Sequence, residues 1–256
     1  MKDDKGRDIS VLFPIVRDLV RLFYPKPEIV GLENLPDGPA IVVGNHAQMN
    51  GPIVAEVFFP GDRWIWCAGE MLHLKEVQPY AFKDFWSQKP RTVRWFYKGL
   101  SYVIPPISVG VLGGAHTIGV YRDARVMSTY RETLTRLNEG AKIIIFPEKD
   151  EPGNNIVSAF QDGFVDVARL YFRRSGRALP FVPMYSAPRL RKLVIGKPVI
   201  FDPSAPIEEE RNRICEAMAK AITDMARALP RHVVVPYRNM AKKDYPMNKS
   251  EEEEAR

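Results

Sequence analysis

A mixed, mostly parallel central sheet flanked by helices is the fold class this sequence predicts, and three observations carry it. The run Ile41-Val42-Val43-Gly44-Asn45-His46 is apolar and of strand type, then stops abruptly in polar residues. A helix-compatible run at 53–59 follows it, and then a strand-like run from Trp64 to Cys67. Strand, turn, helix, turn and strand at this spacing make a βαβ unit, which implies parallel strands. Further on, Lys142-Ile143-Ile144-Ile145-Phe146 is apolar at consecutive positions, as a strand covered on both faces requires. Finally, the segment 207–229 carries Ile207, Ile214, Met218, Ala221, Ile222, Met225 and Leu229 on one helical face.

Taken in order, Ile9 to Tyr24 reads as an amphipathic helix, with Arg17, Asp18 and Arg21 set among Val11, Leu12, Ile15, Val16, Leu19, Val20, Leu22 and Phe23. It is either packed on the domain or an interfacial anchor, and Pro25 and Pro27 stop it. A short strand and turn span 28–36, before the strand at Ile41. Pro52 suits the first turn of the helix that follows. Residues 70–117 mix aromatics such as Trp86, Trp95, Phe96 and Tyr102 with Lys75, Lys83, Lys89, Arg91, Arg94 and Lys98. An ordinary helical insertion ranks first for this stretch, a lipid interface second, and single-stranded nucleic acid a distant third.

The run Thr117–Asp123 is a strand ending in charges, and a helix over 125–138 stops at Gly140. A helix is expected from Gln161 to Arg173, and strands at Leu179–Tyr185 and Leu193–Ile200, the second broken at Gly196-Lys197-Pro198. In the last helix Glu208, Glu209 and Glu210 near the start and Arg227 near the end suit the helix dipole. The domain expectation is therefore an N-terminal helix (1–27), an α/β domain (28–230, with the insertion 70–117), and a polar tail (231–256). The tail ends Glu251-Glu252-Glu253-Glu254-Ala255-Arg256 and reads as disordered.

At 256 residues with 45% hydrophobic side chains the chain can bury a real core, which excludes general disorder. A formal charge of +6 and a pI near 9.2 favour an acidic partner. Cys67 and Cys215 lack metal-ligand spacing and read as buried free thiols of a reducing compartment. No apolar run reaches transmembrane length, leaving a soluble protein or one lying on a membrane surface.

Three strands end in polar clusters: Asn45-His46, Arg122-Asp123, and Glu148-Lys149-Asp150. Strand ends of an α/β sheet can converge on one crevice. A proton-accepting histidine, cations able to hold a phosphate and a carboxylate able to orient a hydroxyl suit acyl or phosphoryl transfer. Locally, His46 reads equally well as a residue capping a turn. His73, His116 and His232 stand alone and read as structural or exposed. Gly113-Gly114 lacks phosphate-loop spacing, and Ser87, Ser101, Ser108 and Ser158 lack the flanking glycines of a nucleophile elbow.

In this order the clusters resemble the glycerolipid acyltransferase family, over roughly residues 28–200. Val30-Gly31-Leu32-Glu33-Asn34-Leu35-Pro36 and Gly38 to His46 are similar to the lead into that family's first motif. The second motif resembles Ile118-Gly119-Val120-Tyr121-Arg122, and the third resembles Ile145-Phe146-Pro147-Glu148. A later element looks like Phe160-Gln161-Asp162-Gly163, and the fourth motif like Phe181-Val182-Pro183-Met184 with Ile195-Gly196-Lys197-Pro198.

The resemblance implies an acyltransferase that moves a fatty acyl group from an acyl-CoA or acyl-carrier-protein thioester to a glycerolipid or lysophospholipid hydroxyl. It implies no cofactor beyond that donor, a membrane lipid surface as partner, no nucleic acid, and a peripheral place on the cytoplasmic, inner face of a membrane. Carried over by position, His46 is the general base, Arg122 a phosphate ligand and Glu148 an acceptor-orienting carboxylate. Two motifs depart from the pattern. The family's aspartate after the histidine is Gly51 here, and Asn50, one residue earlier, has an amide oxygen able to accept from the ring. The family's Gly-Thr-Arg after the third motif is Lys149-Asp150-Glu151, so Lys149 supplies a point charge in place of a guanidinium fork. A catalytically silent lipid- or acyl-chain-binding protein on the same fold is the alternative.

Overall fold

The computed structural model describes residues 12–82, 91–238 and 240–249. Two compact units emerge, one from the chain up to Tyr24 with Ile65–Glu132, the other from Pro25–Trp64 with the chain from Thr133 on. Among the described residues no helix is long and apolar enough to cross a membrane.

The second unit is built on strand β2 (Ala40–Gly44), whose five residues are all buried. Its neighbours are β5 (Lys142–Ile145), also buried throughout, and β6 (Pro180–Ala187). Both run parallel to β2, with Val42 opposite Ile144 on one side and Val182 on the other. A strand flanked on two edges and covered on two faces has no solvated position, which is why β2 and β5 read as unbroken apolar runs. Beyond β6 the order continues to β7 (Lys192–Ile195) and β1 (Glu28–Val30), and β8 (Val199–Ile200) also pairs with β6. The β1–β7 pair is parallel, whereas β7 and β8 are antiparallel to β6. The sheet is mixed and mostly parallel, as expected.

Helix α2 (Asn50–Phe58) follows β2 and begins at Asn50, ahead of the expected Ile53. Helix α6 (Asp166–Ser175) starts later than expected because a 3-10 turn occupies Gly163–Val165, and Gly176 ends it in the left-handed conformation. Helix α7 (Ile207–Ala228) packs along β6, with Ile214, Met218 and Ile222 fully buried. Glu210, also buried, pairs with Arg213 and accepts from the Asp202 amide, so one of the expected dipole-compensating acids also ties α7 to the loop before it.

The first unit contains α1 (Leu12–Phe23), α3 (Leu74–Ala81) and α4 (Arg91–Gly114), with β4 (Thr117–Val120) paired in parallel to β3 (Arg63–Ala68) from Ile65 on. Helices α1 and α3 both pack on α4. Helix α5 (Val126–Asn138) is tied to β4 where Thr129 Oγ1 donates to the Gly119 carbonyl. Trp86, Lys83 and Lys89 of the expected aromatic and basic stretch lie outside the described residues, as does the acidic end 250–256.

The tail departs from expectation. Residues 231–238 and 240–249 are not a disordered end; they pack on the second unit. Val234 and Asn248 are buried, as is His232, whose Nε2 accepts a hydrogen bond from the Tyr185 hydroxyl at 2.8 Å. The composition of the tail is polar, but isolated apolar and aromatic residues, Val233 to Val235, Tyr237 and Tyr245, anchor it without any periodicity to reveal them. Cys67 and Cys215 are free and partly buried, and burial pushes both thiols up to about 12, so neither is a nucleophile at neutral pH.

Candidate functional site

Strand β2 carries Asn45 and His46 to its C-terminal end. Asn45 is buried there and reads the backbone of β6 in both directions: Nδ2 donates to the Ser186 carbonyl at 3.1 Å, and Oδ1 accepts from the Ser186 amide at 2.7 Å. This fixes the point at which the chain leaves the sheet.

The next residues make a tight turn. Ala47 and Gln48 both lie in the left-handed region, at φ 45° and 54°. Neither is glycine or asparagine, so each carries a cost of roughly 1–2 kcal/mol. The turn closes by Asn50 N–H to the Ala47 carbonyl (3.1 Å) and Gly51 N–H to the His46 carbonyl (3.0 Å). The strained turn places the Gln48 backbone carbonyl against Nδ1 of His46. A carbonyl only accepts, so Nδ1 carries the proton and the Nε2 lone pair is the basic one.

The contact to Nδ1 is thus made by the Gln48 carbonyl, at a place where the sequence pointed to Asn50. The Asn50 amide donates instead to the Ala47 carbonyl at 2.9 Å, reinforcing the turn. Gly51 is equally committed. A Cβ there would meet the Asn45 carbonyl oxygen at 2.6 Å, that of His46 at 2.7 Å and Phe146 Cε1 at 2.8 Å. The position that holds the family's aspartate has no room for a side chain, and a backbone carbonyl serves the ring in its place.

The His46 ring stands between two aromatic rings, Phe146 and Tyr237, each with its centroid 5.4 Å away in an edge-on arrangement. Burial in this setting holds the imidazole below its usual pKa of 6.5, and the hydrogen bond to Gln48 only partly offsets the shift. His46 is thus a neutral imidazole at neutral pH.

Glu148 lies just beyond β5, buried, with one oxygen accepting from the His46 amide at 2.6 Å and the other from the Ser158 amide at 2.9 Å. Burial raises its pKa against the lowering pull of those two bonds. Both oxygens are engaged with backbone, so this carboxylate ties the main chain at His46 to that at Ser158. Lys149 is half-exposed and pairs with Glu151 at 2.6 Å, while Asp150 pairs with Arg238 at 2.5 Å. Lys149 is therefore partnered within the loop, and Asp150 by the C-terminal segment. Arg122 belongs to the first unit, exposed just after β4. Beside it Arg125 stacks over the Tyr121 ring and pairs with both Glu76 and Asp123.

His46, Glu148 and the turn were legible as motif residues. The contributions of Gln48, Tyr237 and Tyr245, whose hydroxyl accepts from Gln48 Nε2 at 2.7 Å, were not. A backbone carbonyl has no sequence signature, and the two tyrosines lie in a tail without pattern. Among the described residues no group of three His, Cys, Asp or Glu is placed to hold a metal.

The Acyltransferase family profile matches residues 26–187. No curated protein matches the chain. Among solved structures the chain is similar to the 1-acyl-sn-glycerophosphate acyltransferase PlsC from Thermotoga maritima, at 17% identity and a TM-score of 0.47, over 90% of this chain and 85% of that one. The chain belongs to the acyltransferase family.

Proposed function

We propose that this acyltransferase-family protein moves a fatty acyl group from an acyl-CoA or acyl-carrier-protein thioester to the hydroxyl of a glycerolipid or lysophospholipid, with His46 as general base. The observation that carries the reading is the His46–Gln48 contact: a neutral imidazole whose Nδ1 proton is fixed and whose Nε2 is left to accept. In the reaction Nε2 takes the proton from the acceptor hydroxyl as its oxygen attacks the thioester carbonyl. The tetrahedral adduct then breaks its C–S bond, and the departing sulfur receives the proton from the imidazolium. An ester and a free thiol result.

A carbonyl dipole stabilises the imidazolium less than a carboxylate does, so catalysis is slower than with an aspartate partner. Lys149 is occupied by Glu151, which favours an acceptor whose phosphate, if it has one, is not gripped at this position. A membrane surface supplies the lipid. In the first unit, Leu22 and Phe23 of α1 are 74% and 78% exposed and Trp95 of α4 is 76% exposed, with Arg17 and Arg21 nearby in sequence. That composition suits docking on the cytoplasmic leaflet. Sedimentation with phosphatidylglycerol vesicles at low salt tests it, and absence of binding counts against it.

The direct test is acyl transfer by the purified protein from labelled long-chain thioesters to a panel of lysophospholipids and neutral glycerol lipids. Ester formed by the wild type and abolished in His46→Ala is expected. A His46→Ala variant with undiminished rate removes the mechanism. Gly51 favours a second reading, a silent lipid- or acyl-chain-binding protein; saturable lipid binding with no ester from either donor type would select it.

A further inference from the structure

We propose that the C-terminal strap is part of the catalytic machinery, with Tyr245 acting as a positioning residue for His46 through Gln48. The proposal rests on the reading of His46 as the base, and it goes beyond that reading by assigning a role to a segment outside the family match, which ends at residue 187.

The strap is firmly built. Asn248, fully buried, donates from Nδ2 to the Ala226 carbonyl at 2.8 Å at the end of α7, and its Oδ1 accepts from the His232 amide at 2.8 Å. The chain then doubles back on itself, with Val233 bridged to Met247 and the Val234 amide donating to the Pro246 carbonyl at 2.8 Å. His232 adds a second anchor, held between the Tyr185 hydroxyl and the Pro230 carbonyl. Arg238 ties the strap to Asp150 beyond β5.

From this frame two tyrosines reach the site. Tyr237 sets its ring against the imidazole, and Tyr245 takes the side-chain amide of Gln48 at 2.7 Å. Gln48 is the residue whose left-handed backbone aims a carbonyl at His46 Nδ1. Nothing about an Ala-Gln pair favours that conformation locally, so the turn depends on contacts from outside it. The Tyr245 hydroxyl holds the side chain of the residue whose main chain orients the base. The coupling runs from Tyr245 to the Gln48 side chain, to the Gln48 carbonyl, to His46.

A strap that merely stabilises the unit would change unfolding and leave the imidazole alone; the test must separate the two. In the full-length protein, Tyr245→Phe removes one oxygen and keeps the ring. Expected is a fall in kcat of roughly 10-fold, the scale seen when a residue behind a catalytic group is removed, with little change in KM. The His46 ring titration, followed by NMR on histidine-labelled protein, should move to lower pH, because the Gln48 carbonyl that favours the imidazolium is no longer held in place. Gln48→Met, which keeps the backbone carbonyl but loses the amide, should reproduce both changes, and the double variant should be no worse than either single one. An unchanged His46 titration and an unchanged kcat in Tyr245→Phe overturn the proposal, as do effects of the two substitutions that multiply. The NMR arm reads the coupling even without turnover. If His46→Ala is inactive while Tyr245→Phe is normal, only this inference falls; if His46→Ala retains its rate, the base assignment falls.

Discussion

Replacing Gly51 tests whether the carbonyl-for-aspartate arrangement is built into the fold. Gly51 is the second residue of α2, where alanine in place of glycine would ordinarily gain up to about 1 kcal/mol. Here the sign reverses. The new Cβ would lie 2.6 Å and 2.7 Å from two backbone oxygens and 2.8 Å from a ring carbon of Phe146. The oxygens belong to Asn45 and His46, which the Ser186 pairing and the Glu148 bond hold in place. They cannot swing aside as a flexible side chain would, and overpacking of this kind costs about 1–3 kcal/mol. Aspartate adds a carboxylate facing two carbonyl oxygens, so Gly51→Asp should lose at least about 3 kcal/mol. Urea unfolding reads this as a midpoint lowered by on the order of 1 M. Gly51→Ala as stable as the wild type, or Gly51→Asp with a gain in ester formation, would refute the argument.

Two further outcomes follow from the buried polar groups. Glu148→Gln keeps one acceptor oxygen but turns an NH₂ group toward a backbone N–H, so roughly 2–3 kcal/mol should be lost in chemical denaturation and kcat should fall with it; a neutral substitution would show that the carboxylate does not hold the His46 amide. His46 and His232 both have pKa values held below 6.5 by burial, so the unfolded chain takes protons that the folded chain refuses. Their contribution is fully present above 6.5 and is lost as pH falls below it toward the folded values. Thermal unfolding of the wild type should therefore weaken between neutral pH and pH 5, and the loss should shrink in His232→Asn. Equal slopes in the two proteins would contradict the assignment. Glu148 opposes this trend, since a raised carboxyl pKa contributes stability below 4.5 that is lost as pH rises through the folded value.

Much of this architecture is written locally. The strands β2 and β5 announce themselves because a central strand has no solvated face, and α7 because a helix on one sheet face must bury a stripe. His46 was legible as a polar residue at the end of a buried strand. What completes it was not. The proton acceptor for Nδ1 is a main-chain carbonyl, aimed by two left-handed residues that carry no glycine or asparagine signal. The sequence pointed to Asn50 since it lies near the family's aspartate, but backbone geometry at Gly51 and Ala47 turns its amide elsewhere. The family resemblance makes Glu148 an acceptor-orienting carboxylate by position; what no pattern announces is that its two oxygens accept from the His46 and Ser158 amides. Polar composition makes the tail look disordered and conceals Asn248 and His232, polar residues that are buried and hydrogen-bonded to the protein in the folded state.

The most direct measurement is the pH dependence of kcat/KM for ester formation by the wild-type protein. Since His46 must be unprotonated to act, and burial holds its pKa down, the rate should fall on the acid side through a single group titrating below 6.5. A limb at or above that value, or a rate indifferent to pH down to 4.5, would contradict a neutral, carbonyl-oriented His46 as the base.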